Sequence, residues 1–372
     1  MLALVIVAFL VPMVTSAGCS LWVMGRASSW GLIDQPSLRK DHGRAVPLGG
    51  GIGIYLGVGL MLVLVLVIAH LVRAFPTIGE ALPELVRVHA AGVVNVSSLL
   101  ALLLAAGLIQ TGIGLWDDVY GIDYRVRLGV EVLLVLGLVS QGVELAFLPG
   151  WRMLTIPLTV LWVVGLTNAF NFLDNMDGLS AGVGLIVSIM LAIIAWLVGD
   201  LFLLGCYAIL AGSLIGFLWF NWSPARIFMG DAGSNFLGFW IGTLTVISTF
   251  KTEQYSAVTL LAPLCILAVP IYDVATVSVI RLAQGRSPFH PDRQHFSHRL
   301  VGLGFSRQAA VSIIHLVTLV TGLSGLVLYF VDPRAVWLII AQWVSLLVLL
   351  AILDVGGWRR NAHPMPHQER SP

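Results

Sequence analysis

The residues best suited to chemistry are carboxylates, amides and histidines in short polar stretches between long apolar runs. The densest stretch is Asn168-Ala169-Phe170-Asn171-Phe172-Leu173-Asp174-Asn175-Met176-Asp177-Gly178. It follows an apolar run from Leu154 to Leu166 and precedes another from Ala181 to Val198. Charge beside lipid is costly and usually has a purpose. Asn171, Asp174 and Asp177 fall at i, i+3 and i+6, so a continuing helix would set them along one side as the wall of a polar site. A solvated loop between two spans is the plain alternative.

Asp117 and Asp118 end another apolar run as an adjacent pair. Neighbouring side chains on a helix point about 100° apart, so one could bind a metal while the other orients a nucleophile. Hard oxygen ligands suit Mg²⁺, which keeps waters and needs only one or two carboxylates beside phosphate oxygens. A solvated helix end fits the pair equally well. Asp231 sits among small residues in Met229-Gly230-Asp231-Ala232-Gly233-Ser234, where glycines let a ligand approach the backbone. Phe228 just before it could stack on a base or pack against a helix.

Asp273 lies inside an apolar segment, a functional candidate or a packing hydrogen-bond donor and acceptor. His295 and His298 stand three apart among arginines that include Arg299. A zinc pair is one reading. A cationic cradle for a diphosphate fits better, because arginines would repel a metal. Residues 26–51 carry Arg39, Lys40, His42 and Arg44 ahead of Gly49-Gly50-Gly51. Amides at a helix start plus basic side chains suit phosphate; positive-inside anchoring with glycines for close helix packing is the alternative.

These stretches must be positioned by the apolar runs between them. The chain has 372 residues, 58% hydrophobic and 10% charged. Soluble domains carry roughly 25% charged residues. Repeated runs of about 20 apolar residues read as transmembrane helices. The expected fold is therefore an all-α, polytopic transmembrane helical bundle. About eleven spans are expected, near 1–25, 48–72, 93–116, 128–147, 154–172, 180–198, 201–221, 235–250, 257–281, 308–331 and 335–354. Residues 1–354 read as one membrane domain and 355–372 as a disordered cytoplasmic tail. Most Arg and Lys fall in loops after odd-numbered spans and in the tail, which puts those in the cytoplasm and the N-terminus outside. The polar clusters share that inner side. The first run reads as a retained span rather than a cleaved signal, because no basic residue precedes it. A net charge of +1 and the lack of a long basic run argue against nucleic acid as a partner. Cys19, Cys206 and Cys265 are widely separated within spans and read as packed apolar residues.

In this order and at these helix ends, the motifs resemble the polyprenyl-phosphate N-acetylhexosamine-1-phosphate transferases. Those membrane enzymes move a sugar phosphate from a UDP-sugar onto a lipid phosphate. The likeness runs from about Asp34 to about Arg307. It implies that Asp117 and Asp118 serve Mg²⁺ binding and activation of the lipid phosphate. Asn168, Asn171, Asp174 and Asp177 match the Asn/Asp motif that contacts nucleotide or organises the metal. Asp231 matches the aspartate expected to ligate the metal directly, and Asn221 and Phe228 match the lining of a uridine pocket. His295 matches the first histidine of the last large inner loop. The resemblance thus implies a catalytic set of Asp117, Asp118, Asp174, Asp177 and His295. The implied metal set is Asp231, Asp117, Asp118, Asn171 and Asp174, with Mg²⁺, or Mn²⁺ in its place. The implied substrate contacts are Arg39, Lys40, His42, Arg44, Asn168, Asn221, Phe228, His298 and Arg299.

One departure stands out. N-acetylglucosamine-type members usually read His-x-His-His, and here Ser297 takes a histidine's place. The run from Asp34 to His42 is still closer to that branch than to the muramoyl-pentapeptide branch. The implied partners are a UDP-sugar, a polyprenyl phosphate and the membrane, and the resemblance allows a homodimer. The implied setting is the inner membrane of a cell making envelope polysaccharide, with the active site facing the cytoplasm. Direct transfer is preferred over a phosphorylated-aspartate intermediate because it needs no covalent carrier. A polytopic secondary transporter of an anionic or nucleotide-linked substrate is the competing class. It would concentrate polar residues at the bilayer midplane rather than at helix ends.

Overall fold

The structure, a computed structural model, describes residues 2–35, 45–145, 151–248, 250, 254–287 and 294–362. Arg39, Lys40, His42 and Arg44 lie outside the described residues, as do most of the tail and residues 288–293. The first apolar run forms α1 (Leu2–Arg26). A two-stranded antiparallel ribbon follows, β1 (Ile33–Asp34) against β2 (Val46–Pro47), with Asp34 opposite Val46. It holds the only strands among the described residues, so the all-α expectation needs that one amendment.

The chain continues through α2 (Gly50–Ala74), α3 (Pro76–Ala81), α4 (Glu84–Asn95) and α5 (Ser97–Tyr120). Then come α6 (Tyr124–Ser140), α7 (Arg152–Leu173), α8 (Leu179–Leu197), α9 (Leu201–Asn221) and α10 (Gly230–Ile247). A 3-10 turn, Ala257–Leu261, leads into α11 (Ala262–Ile266) and α12 (Ala268–Ala283). The short α13 (Phe296–Gly302), α14 (Arg307–Val327) and α15 (Val336–Ala362) complete it. Side chains start several of these helices: Asp123, Asp200 and Ser306 accept from the amides of Arg125, Leu203 and Ala309.

These are the helices of a multi-pass membrane protein. Each of the eleven expected segments overlaps a helix. Among the described residues, seven helices are long and apolar enough to cross a bilayer, or eight if the bent pair α11–α12 is one span. The expected ninth span is not continuous: its two parts meet at 65°. Pro270 has no N–H to offer the carbonyl one turn earlier, which is where the ladder stops. Residues 73–92, expected as a loop, hold α3 and most of α4, because prolines open both helices and Ala90 packs against Ala69 and Val72. The helix carrying Asn168 and Asn171 stops at Leu173, so Asp174 caps it and Asp177 lies in the following turn rather than on the same helix face.

The best-enclosed helix is α10. It packs against α7, α5 and α2. Of residues 230–246, Asp231 alone escapes full burial. In lipid this enclosure rests on close packing rather than on removal from water. Gly114 shows how close: a Cβ there would come within 2.4 Å of the Ala232 Cα. The backbones of α5 and α10 therefore touch one turn from Asp117 and Asp118 and right beside Asp231.

Candidate active site

One end of each of five helices contributes to a single cavity of about 850 Å³. The C-terminal ends of α5, α7 and α9 supply Asp117 and Asp118, Asp174 to Asp177, and Asn221 to Ser223. The N-terminal ends of α10 and α14 supply Gly230 and Asp231, and Arg307 to Ser312. Leu48, just before α2, and His298 on α13 complete the lining, with Phe228 and Asp34. Among the expected site residues, Asp117, Asp118, Asp174, Asp177, Asn221, Phe228, Asp231 and His298 meet here.

The acidic pair splits into two tasks. Asp118 accepts hydrogen bonds from the backbone amides of Asp231 (2.9 Å) and Ala232 (3.3 Å). A carboxylate on the first amides of a helix is favourable for both. Gly230, at φ +71, makes this approach feasible; a Cβ there would fall 2.5 Å from the Asp118 carboxylate. Asp117 instead accepts from the Ile122 amide at 2.7 Å and from the Arg127 guanidinium at 3.0 Å. The same Arg127 nitrogen reaches Asp231 at 3.3 Å. Asp231 also accepts from the Asn171 amide at 2.7 Å, and Asn171 bonds Ser234 at 3.1 Å.

Asp174 completes the acidic wall. Loss of hydration and the carboxylates of Asp231 and Asp118 push its carboxyl well above the usual range, against a hydrogen bond from the Gly230 amide. Carboxylates crowded in this way favour a bound cation. Among the described residues no three of His, Cys, Asp and Glu converge as a ready-made metal cage. The donor set still fits Mg²⁺, which takes one or two carboxylates and completes its shell with water and phosphate oxygens.

Other expected residues serve the walls. Asp177 accepts from the Ala225 amide at 2.9 Å, and Asn221 bonds the Gly178 amide (3.0 Å) and the Ile227 carbonyl (2.9 Å). Together they lock the turn after α7 to the segment between α9 and α10. Asn168 does not reach the cavity; its amide donates to buried Glu131 at 2.8 Å. The glycine run before α2 was expected to offer amides to phosphate. Two of its amides are already used, Gly50 on the Phe228 carbonyl (2.9 Å) and Gly51 on the Met229 carbonyl (3.0 Å).

The histidine motif divides as well. His298 faces the cavity, whereas His295 is buried behind it. His295 Nδ1 lies 2.9 Å from Asp273, which also accepts from the Phe296 amide at 2.7 Å. Its ring packs on Phe172. Arg299 is buried too, donating to the Gln294 carbonyl and to Thr276 at 3.0 Å. Ser297, the departure from the family pattern, donates to Asn175 at 2.6 Å and so ties α13 to the cavity wall.

Sequence reasoning missed Arg127, Glu131, Asn175 and Arg307 as site or supporting residues. The first two had a signal: Arg127 and Glu131 are four apart, and a carboxylate inside an apolar run needs a partner. Asn175 and Arg307 stood in stretches read for other residues, and only the fold brings them to one cavity.

Residues 100–249, from α5 through α10, match the family described as glycosyl transferase family 4. The chain is 31% identical over 360 residues to a probable undecaprenyl-phosphate N-acetylglucosaminyl 1-phosphate transferase of Bacillus subtilis (strain 168), covering 94% of this chain and 91% of that protein. It is 31% identical over 369 residues to the decaprenyl-phosphate N-acetylglucosaminephosphotransferase of Mycolicibacterium smegmatis (strain ATCC 700084 / mc(2)155), covering 90% and 84%. An undecaprenyl-phosphate alpha-N-acetylglucosaminyl 1-phosphate transferase of Escherichia coli (strain K12) is 30% identical over 351 residues, covering 89% and 84%. The likeness spans nearly the whole chain, and the family match contains Asp117, Asp118, Asp174, Asp177 and Asp231, so the protein belongs to the polyprenyl-phosphate N-acetylhexosamine-1-phosphate transferase family.

Proposed function

We propose that this protein transfers an N-acetylhexosamine 1-phosphate from a UDP-sugar to a polyprenyl phosphate, releasing UMP, at the cytoplasmic face of the membrane. The observation that carries the reading is the meeting of Asp117, Asp118, Asp174 and Asp231, from three separate parts of the chain, on one cavity at helix ends. The excess of basic residues in the loops on that side supports the cytoplasmic assignment. The relatives' names support the lipid acceptor and the N-acetylglucosamine donor. Cell-envelope polysaccharide synthesis is the setting that this chemistry fits.

The obstacle is electrostatic: a lipid phosphate must approach the β-phosphate of a diphosphate donor. Bound Mg²⁺ would offset that repulsion and stabilise the departing UMP. Asp231 and Asp117 would hold it, with Asn171 fixing the Asp231 carboxylate. Asp118 orients the start of α10 so that Asp231 faces the cavity. Asp177 and Asn221 keep the nucleotide side of the cavity in shape, where Phe228 offers a ring and Arg307 and His298 positive or polar contacts. The second pKa of a phosphate monoester is about 6, so the acceptor is largely ionised and needs little help from a base. Direct transfer then requires no covalent step on the protein.

The test is an assay of the purified full chain with UDP-N-acetylglucosamine, related UDP-sugars and undecaprenyl phosphate, with Mg²⁺ present or chelated. Formation of lipid-linked sugar phosphate together with UMP, lost on chelation, is the expected result. Counterflow of UDP-sugar in vesicles without lipid acceptor, and no UMP, would sink the reading.

A further inference from the structure

The strongest unexplained feature beside the cavity is a chain of charges running from it into the bundle. Arg127 uses one nitrogen, Nη1, on both Asp117 (3.0 Å) and Asp231 (3.3 Å). Its Nε lies 3.9 Å from Oε1 of Glu131, one turn further along α6. That distance is too long for a hydrogen bond. Glu131 is fully buried, and its Oε1 has no hydrogen-bond partner. Its other oxygen is held at 2.8 Å by Asn168, whose amide also bonds the Val164 carbonyl at 2.9 Å. A buried acceptor without a donor is costly and calls for an occupant.

We propose that Arg127 is a positioning residue with two seats. In the seat seen here its guanidinium takes the place of a cation between Asp117 and Asp231 and keeps two like charges together. The second seat is the unpaired oxygen of Glu131, which a shift of about 1 Å at Nε would bring within hydrogen-bond range. When a divalent cation occupies the two aspartates, Arg127 passes to Glu131, and Asn168 keeps that carboxylate aimed to receive it. Glu131 thereby gains its missing donor as the acid pair loses its arginine. This explains why a carboxylate is buried one helical turn from the site and why Asn168 points at it rather than at the cavity. The exchange rests on the reading that Asp117 and Asp231 hold the cation.

The experiment is Mn²⁺ binding to the full chain in detergent without substrate, followed by electron paramagnetic resonance, so that no turnover is needed. Wild type is expected to bind and Asp231→Asn to lose binding. If wild type does not bind, or Asp231→Asn binds as well, the metal reading falls and this proposal with it. With that control in place, the two seats predict opposite signs. Arg127→Gln removes the competing cation and is expected to bind Mn²⁺ about tenfold tighter than wild type. Glu131→Gln takes away the receiving carboxylate and is expected to bind about tenfold weaker. A merely structural network would weaken binding in both variants. Arg127→Lys is the second handle should Arg127→Gln fail to fold: the shorter lysine side chain stops before the position of Nη1 and holds the two aspartates less well, so tighter binding is again expected. Unchanged or weaker binding in the folded Arg127 variant, with Asp231→Asn still inactive in binding, overturns the exchange while leaving the metal site standing.

Discussion

At the scale of single residues, the two neighbouring aspartates should behave differently when altered. Asp231→Asn leaves Asn171 and Arg127 facing a neutral amide and removes a charge from the proposed cation site. Mg²⁺-dependent turnover is expected to fall by about two orders of magnitude or more, with the melting temperature nearly unchanged. Asp118→Ala removes two charge-assisted hydrogen bonds from the first turn of α10. A loss of about 1–3 kcal/mol of stability is expected together with lost activity, visible as a lower melting temperature. If Asp118→Ala melts like wild type while losing turnover, the capping role assigned to it is wrong. Ser297→Ala breaks the 2.6 Å bond to Asn175 on the cavity wall. A raised KM for the UDP-sugar with kcat little altered is the expected outcome, read from initial rates.

At the scale of elements, the legibility of the sequence was uneven for physical reasons. Long apolar runs identified every major helix, because hydrophobic length is the strongest signal a membrane chain carries. Bend and break positions were harder. The 65° break between α11 and α12 depends on Pro270, yet prolines inside α1 and α7 leave those helices unbroken. The acidic motifs were legible as motifs but not as partners. Nothing local to Asp118 says that it caps a helix beginning at residue 230, and nothing local to Asp273 says that it holds His295. The spacing of Asn171, Asp174 and Asp177 suggested one helical face, and the helix ended before the last two. Gly230 is where element geometry is most exposed to test. Gly230→Ala meets both a positive φ and the Asp118 carboxylate, so a cost of about 1–2 kcal/mol from the backbone alone and a larger fall in turnover are expected. A variant that melts and turns over like wild type would mean that the α5–α10 junction is looser than described.

At the scale of the whole molecule, the site belongs to no single segment. It is assembled where helices from residue 50 to residue 327 end together, and the family match over 100–249 covers Asp117, Asp118, Asp174, Asp177 and Asp231 but not the ribbon, α13 or α14. Those outer parts bring Asp34, His298 and Arg307 to the cavity and hold Ser297 against it. Differences in donor choice among relatives are therefore expected to map to the chain outside 100–249. Exchanging residues 294–312 for those of a relative with another donor preference should shift the ratio of kcat/KM between UDP-sugars, while the proposed dependence on Mg²⁺ is left unaltered.

The short segment 228–232 is gripped from both sides. Its first carbonyls receive the amides of α2, and its last amides bond the carboxylate of Asp118 on α5. It has no slack of its own, so any change in tilt between α2 and α5 is transmitted to Asp231. Membrane thickness sets such tilts through hydrophobic mismatch. Turnover in vesicles should accordingly pass through an optimum as acyl chains are lengthened, even with short, soluble acceptor analogues that do not sense the bilayer themselves.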